Sequence, residues 1–190
     1  MIQLFSFMRV QRGTSMIEVL VTIVILVIGL LGLAGLQARL QSSEMEAYQR
    51  AQALLLLNDM ANRIATNRAV AVNYVTGTGS PLGEGMTCPT TTSTQQQTDS
   101  GEWCNALQGA GETASGSKVG AMVGGRGCVE NIGGGAYLLT VAWQGLTPVS
   151  VPAVACGQNS YNSSAAGSTC TGDRCRRVVT TIVRVANLAS

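Results

Sequence analysis

Gly13-Thr14-Ser15-Met16-Ile17-Glu18-Val19-Leu20-Val21 is the stretch on which the reading of this chain turns. From Glu18 the sequence runs through 20 uncharged residues, mostly Leu, Ile, Val, Gly and Ala, before it reaches Arg39. At ~1.5 Å per helical residue that run is about 30 Å long, the thickness of a bilayer's hydrocarbon core. Only residues 1–13 stand before Thr14, and they hold Arg9 and Arg12 but no acid. The positive-inside bias keeps those arginines in the cytoplasm and places everything beyond Arg39 outside it.

Two plain readings share this topology. In one, the segment is a signal anchor, and Glu18 sits at headgroup level near the positive end of the helix dipole. In the other it is a secretory peptide cut at Ala34-Gly35-Leu36-Gln37-Ala38, although its apolar run is longer than an ordinary h-region. Neither explains a lone carboxylate shortly after a glycine, at the mouth of an apolar helix.

Arg12-Gly13-Thr14-Ser15-Met16-Ile17-Glu18-Val19-Leu20-Val21 resembles the N-terminal signature of type IV prepilins and of type II secretion pseudopilins. The resemblance implies a leader, residues 1–13, removed after Gly13 by a prepilin peptidase on the cytoplasmic face. It further implies N-methylation of the new amine at Thr14 and a role for Glu18 in assembly. Two departures stand out. The first mature residue, usually Phe in the family, is Thr14, and the helix-breaking Pro common in major subunits is replaced by Gly29, Gly32 and Gly35. Minor members tolerate such departures more than major subunits do.

Loss of Arg9 and Arg12 with the leader reduces the 12 Lys and Arg to 10, against 10 Asp and Glu. A neutral, sparsely charged chain is a poor electrostatic binder of nucleic acid, so none is expected as a partner. Arg174, Arg176 and Arg177 read as a solvated edge or a strand start rather than a phosphate site. The chain has no His, which removes the commonest general base and metal ligand. Acids after Asp59 are scattered singly, with no calcium loop among them. No enzyme activity, cofactor or metal is expected.

Cys88, Cys104, Cys128, Cys156, Cys170 and Cys175 include no C-x-x-C pair, which speaks against a zinc ribbon or a thioredoxin-like site. In an exported domain they read as disulfides. Sequence does not choose among the many pairings. Short loops close most readily, which favours Cys170–Cys175 and Cys88–Cys104 and leaves Cys128 with Cys156.

From Arg39 to about Ala71 there is no Pro or Gly, and helix formers dominate. Leu36, Leu40, Ala47, Ala51, Leu54, Leu55, Ala61 and Ile64 predict one apolar face; Arg39, Glu46, Gln49, Arg50, Asn62 and Arg63 predict the polar side. The whole helix, from Thr14 to roughly Ala71, would be about 58 residues and ~87 Å long. Residues 14–38 must be surrounded by lipid or other helices, and residues 39–71 must lie on a folded domain, residues 72–190.

That domain reads as loop-rich and β. Residues 77–127 include Thr90-Thr91-Thr92 and Gln95-Gln96-Gln97 and show no period, so they read as loops, partly stapled by Cys88 and Cys104 and packed by Trp103. Residues 136–144 and 177–185 read as strands, with a shorter piece around Cys128-Val129-Glu130 pairing at the edge. Gly133-Gly134-Gly135 is the hairpin connection; it lacks the strand-to-helix context and Lys-Ser/Thr of a phosphate loop. Trp143 reads as a core anchor.

Gly127-Cys128, Tyr137, Val141-Ala142-Trp143-Gln144-Gly145, Cys156-Gly157 and Arg176-Arg177-Val178-Val179 are similar to the PilV group of minor pilins, the type IV pilus modification proteins. The two resemblances together imply an α+β, type IV pilin-like fold: a long N-terminal helix packed on a small antiparallel sheet with disulfide-stapled loops. They imply a minor pilin that initiates or modulates pilus assembly, and hence twitching motility and adhesion. Its partners would be the prepilin peptidase, other minor and major pilins, and the bacterial inner membrane, with the C-terminal domain periplasmic. A type II secretion pseudopilin is the alternative. A membrane-anchored periplasmic enzyme is disfavoured by the absence of His and of paired carboxylates.

Overall fold

The computed structural model describes residues 13, 15–111, 113–115, 117–118, 120 and 122–186. The chain forms two compact units, one up to Ser43 and one from Glu44 onward. In the first unit, helix α1 (Met16–Thr66, 51 residues) carries the apolar run. No proline interrupts it, and its backbone groups bond within the helix, as a hydrocarbon environment requires. Every described residue from Ser15 to Met45 is exposed, so these apolar side chains find no cover among the described residues. Among the described residues, α1 is the one helix long and apolar enough to cross a membrane.

In the second unit α1 buries Gln49, Ala53, Leu57, Met60 and Ile64, a stripe at intervals of three and four residues. Ile64 is buried and Ala61 packs against the core as expected, but the rest of the expected face is corrected. Ala47, Ala51, Leu54 and Leu55 are exposed, Leu55 by 63%, while Gln49, placed on the polar side, is 2% exposed. Apolar residues occupy more than one side of this segment, so periodicity alone cannot say which stripe meets the sheet. The helix also ends sooner than expected. At Asn67 it gives way to a 3₁₀ segment, Arg68–Tyr74, interrupted by non-helical backbone at Val70. Val70 and Val72 are β-branched and support continued α-helix poorly.

Short strand β1 (Leu82–Gly83) leads to helix α2 (Gln95–Leu107). A small ribbon of β2 (Thr113–Ala114) and β3 (Ser117–Lys118) follows, then the long strands β4 (Arg126–Gly133), β5 (Ala136–Gln144) and β6 (Arg176–Arg184). The main sheet is antiparallel, in the order β1-β4-β5-β6. Val129, Leu139 and Thr181 align across it, as do Gly127, Val141 and Val179. These odd-numbered positions lie on the face that packs with α1 and α2. Val129, Tyr137, Leu139, Val141 and Trp143 form one core with Ala53, Leu57, Met60, Ile64 and Trp103.

Helix α2 overturns the loop reading of residues 77–127. Its start is a capping box: the Thr94 hydroxyl accepts from Gln97 N at 3.3 Å, and Gln97 Oε1 accepts from Thr94 N at 3.2 Å. Trp103 on α2 is fully buried and donates from Nε1 to the Leu56 carbonyl of α1 at 2.9 Å. Its ring lies against β4 where Gly127 has no side chain; a Cβ there would come within 2.2 Å of the indole. The piece expected at the sheet edge is therefore an eight-residue inner strand, with β1 on one side and β5 on the other.

The β4–β5 hairpin turns at Gly133-Gly134-Gly135, all at positive φ, as the glycine run predicts. Strand β5 is buried along most of its length on both faces. Its second face is covered by the chain between β5 and β6, where Cys128, Ala142, Cys156 and Tyr161 form a smaller core. Within that segment, a loop from Ser163 to Cys170 is pinched at its neck by Ser163 N donating to the Cys170 carbonyl at 2.8 Å.

Candidate functional site

Glu18 stands in the first turn of α1, where its backbone N–H donates to Ser15 O at 3.0 Å and that of Val19 to the same oxygen at 3.3 Å. The side chain is exposed, and among the described residues it has no ion-pair partner. A negative charge there is favoured by the helix dipole. In hydrocarbon it would still cost roughly 3 kcal/mol even on the lenient insertion scale, a setting in which acids are usually paired. Gly13 is exposed and non-helical. Thr14, on which expected cleavage and methylation turn, lies outside the described residues.

All six cysteines are paired. Cys88–Cys104 (Cα–Cα 5.6 Å) ties α2 to the loop before it, and Cys128–Cys156 (5.8 Å) ties β4 to the segment covering the sheet's second face. Cys170–Cys175 (5.2 Å) closes the turn into β6. These are the pairs that loop length favours.

The basic run is a strand start, one of its two expected readings, since Arg176 and Arg177 open β6; it is not a solvated edge. Arg176 is 1% exposed. Its Nε meets Asp173 Oδ2 at 2.7 Å, Nη1 donates to Val154 O at 2.6 Å and Cys156 O at 3.0 Å, and Nη2 donates to Pro152 O at 3.1 Å. The guanidinium thus holds the covering segment onto the start of β6 with a planar fork of donors. Arg177 Nη2 reaches Glu46 Oε1 of α1 at 3.0 Å and Thr147 O at 2.8 Å. Arg174 alone of the three is exposed.

A second polar cluster joins α1, the 3₁₀ segment and α2. Arg63 meets Asp59 at 2.9 Å, Asp99 at 2.8 Å and Glu102 at 2.7 Å. Asp99 also accepts from Gln95 at 2.9 Å and from the Tyr74 hydroxyl. Burial pushes the Asp99 carboxyl up, but hydrogen bonds from Tyr74, Gln95 and Arg63 outweigh it and hold the group below its ordinary value. Burial, reinforced by the neighbouring carboxylate, pushes Tyr74 up to about 12.

An open, mainly polar cleft of about 420 Å³ lies between β4 and the covering segment, lined by Glu84, Arg126, Gln144, Ser160 and Tyr161 among others. The Arg126 guanidinium sits over the Tyr161 ring at 5.1 Å, and the Tyr161 hydroxyl donates to Gly124 O at 2.8 Å. Among the described residues no three His, Cys, Asp or Glu side chains converge as a metal site would need.

Comparison of the chain with protein-family models, curated proteins and solved structures returns no match.

Sequence reasoning missed the Asp173–Arg176 clamp and the α2 cap. Each had a local signal: an acid and an arginine three residues apart beside Cys175, and Thr94-x-x-Gln97, which fits the capping-box pattern.

Proposed function

We propose that this chain is a minor pilin, made as a prepilin, held in the bacterial inner membrane by α1, and then drawn into a type IV pilus. The observation that carries the reading is α1 itself: an apolar half without cover, one acid in its first turn, and a later half docked on a disulfide-bonded sheet. The leader motif around Gly13 supports it, as does the second apolar stripe that Leu54 and Leu55 leave exposed. The task is structural, with other minor and major pilins as partners and the prepilin peptidase as processing enzyme. Glu18 supplies the carboxylate that meets an amino terminus at Thr14, on its own chain or on a neighbour, and that pairing recruits the subunit.

Intact-mass measurement of protein from native filaments should give a chain beginning at N-methylated Thr14. A terminus at Met1, or one after Ala38, would sink the proposal. Glu18→Ala should insert in the membrane and be processed normally, yet be absent from sheared filaments; incorporation at wild-type level would leave Glu18 without an assembly role. A deletion strain that keeps twitching motility but loses protein secretion would assign the chain to type II secretion instead.

A further inference from the structure

Strand β6 closes the sheet, and most of its far side is bare. Cys175 O accepts from Gly145 N at 2.7 Å and Val185 N donates to Gly135 O at 2.8 Å, so odd-numbered backbone groups face β5. Alternation along a strand then turns the N–H and C=O groups of Val178, Thr180, Ile182 and Arg184 toward the free edge. Arg174 obeys the same rule: its carbonyl points outward and accepts from Val149 N at 2.7 Å. From Val178 to Arg184, no backbone group among the described residues pairs with that edge.

Folded proteins ordinarily blunt such an edge with charge, proline, a bulge or a covering segment. Among the described residues none stands between Val178 and Val183, and Arg184 brings the one charge only at the strand's end. Val178-Val179-Thr180-Thr181-Ile182-Val183 is uncharged and wholly β-branched, and its register with β5 runs unbroken from Ala136↔Arg184 to Gln144↔Arg176. On the outer face Thr180 is exposed and Ile182 is 51% exposed, with half-buried Leu138 beside it on β5. Arg184, at the end of the strand, is exposed and in no ion pair among the described residues.

We propose that this edge receives, as an added strand, an extended segment of a different membrane-anchored subunit. The segment has apolar side chains to lie beside Ile182 and an acid to meet Arg184. The inference rests on the minor-pilin reading, which supplies anchored neighbours. A second copy of the chain does not fit. Antiparallel pairing of β6 with itself sets a strand that carries Arg176, Arg177 and Arg184 and no acid against its own like, and leaves Arg184 without a counter-charge. Parallel self-pairing turns one sheet over and sets the Val179 and Val183 face beside the Thr180 and Ile182 face, breaking the alternation that one covered face requires.

A photo-crosslinking residue placed at Ile182 of the full chain, in cells, reads contact at the edge; the same residue at exposed Ser164 is the control. The Ile182 probe should give an adduct whose second component, by mass spectrometry, carries its own prepilin-type leader, and the Ser164 probe should not. Thr180→Pro removes one outward N–H and no bond of the β5 ladder, a position where strands tolerate proline. It should keep its three disulfides and membrane level while the Ile182 adduct falls roughly tenfold. If Thr180→Pro fails to accumulate, Thr180→Lys puts a charge on the edge and serves with the same readout. Undiminished adduct in a folded variant, or an adduct consisting of this chain alone, overturns the proposal. Leader cleavage scored in the same samples separates the two claims: a chain cut after Gly13 with an indifferent edge sinks the edge alone, and an uncut chain sinks the minor-pilin reading.

Discussion

Each of the three guanidinium nitrogens of Arg176, a residue only 1% exposed, donates to at least one acceptor. Removing the guanidinium leaves Asp173, whose side chain is 5% exposed, as an uncompensated buried charge. Arg176→Met should therefore destabilise the protein by roughly 3–5 kcal/mol, read from denaturant unfolding of the full chain in detergent. Arg176→Lys should recover little, since an ammonium cannot span Asp173 and three carbonyls at once. Asp99 gives a pH dependence. Its carboxyl lies below the ordinary 3.8 in the folded chain, so its contribution is fully present at neutral pH. That contribution is lost as pH falls below the ordinary value and through the folded one. Melting temperature should drop on the acid side of about pH 4, and Asp99→Asn, already lacking the charge, should show a shallower drop.

Helix α2 depends on a side-chain cap and on one missing side chain. Thr94→Ala removes half of the capping box and should cost about 1 kcal/mol. Gly127→Ala drives a methyl into the Trp103 ring and should cost about 1–3 kcal/mol, because the indole is held by Leu56 O on one side and by β4 on the other. Thermal unfolding of the two single variants checks both. The contrast with β5 shows which elements sequence reveals. Residues 136–144 are buried on both faces, so nearly every position is apolar or β-favouring, and the strand is legible to the residue. Helix α2 buries only part of its surface, and its Gln95-Gln96-Gln97 start reads as low complexity until the Thr94 cap is recognised. The docking stripe of α1 was illegible for another reason: which apolar side is covered depends on a sheet formed more than sixty residues later. Of the candidate site, Glu18 and the six cysteines are visible because charge and thiol are rare where they stand. Arg176 is hidden, because a buried arginine and a solvated one have the same letter.

Across the whole second unit, three short cross-links and two closed polar clusters stand in for a large core. The Cys128–Cys156 link, with a sequence separation of 28, bridges the longest stretch. Its loss should cost roughly 3–4 kcal/mol by loop entropy. The Cys128→Ala/Cys156→Ala double variant should accumulate far less than wild type, whereas removal of Cys170–Cys175, with a separation of 5, should cost less. Anti-protein immunoblots of membrane fractions give the measurement. The same economy leaves one part of the surface free of structural duty. Between Ser163 and Cys170 the chain leaves the body of the protein and returns through a single backbone bond, and Ser164, Ala165, Ala166 and Gly167 touch solvent. A foreign epitope spliced between Ala166 and Gly167 would open one exposed turn, closed by Ser168 N donating to Ala165 O at 3.1 Å, and lengthen a loop whose two ends are already fixed, at little entropic cost. Antibody gold bound to such an epitope on intact cells tests the minor-pilin proposal under the electron microscope: label along filaments is the expected result, and label confined to the cell envelope would count against it.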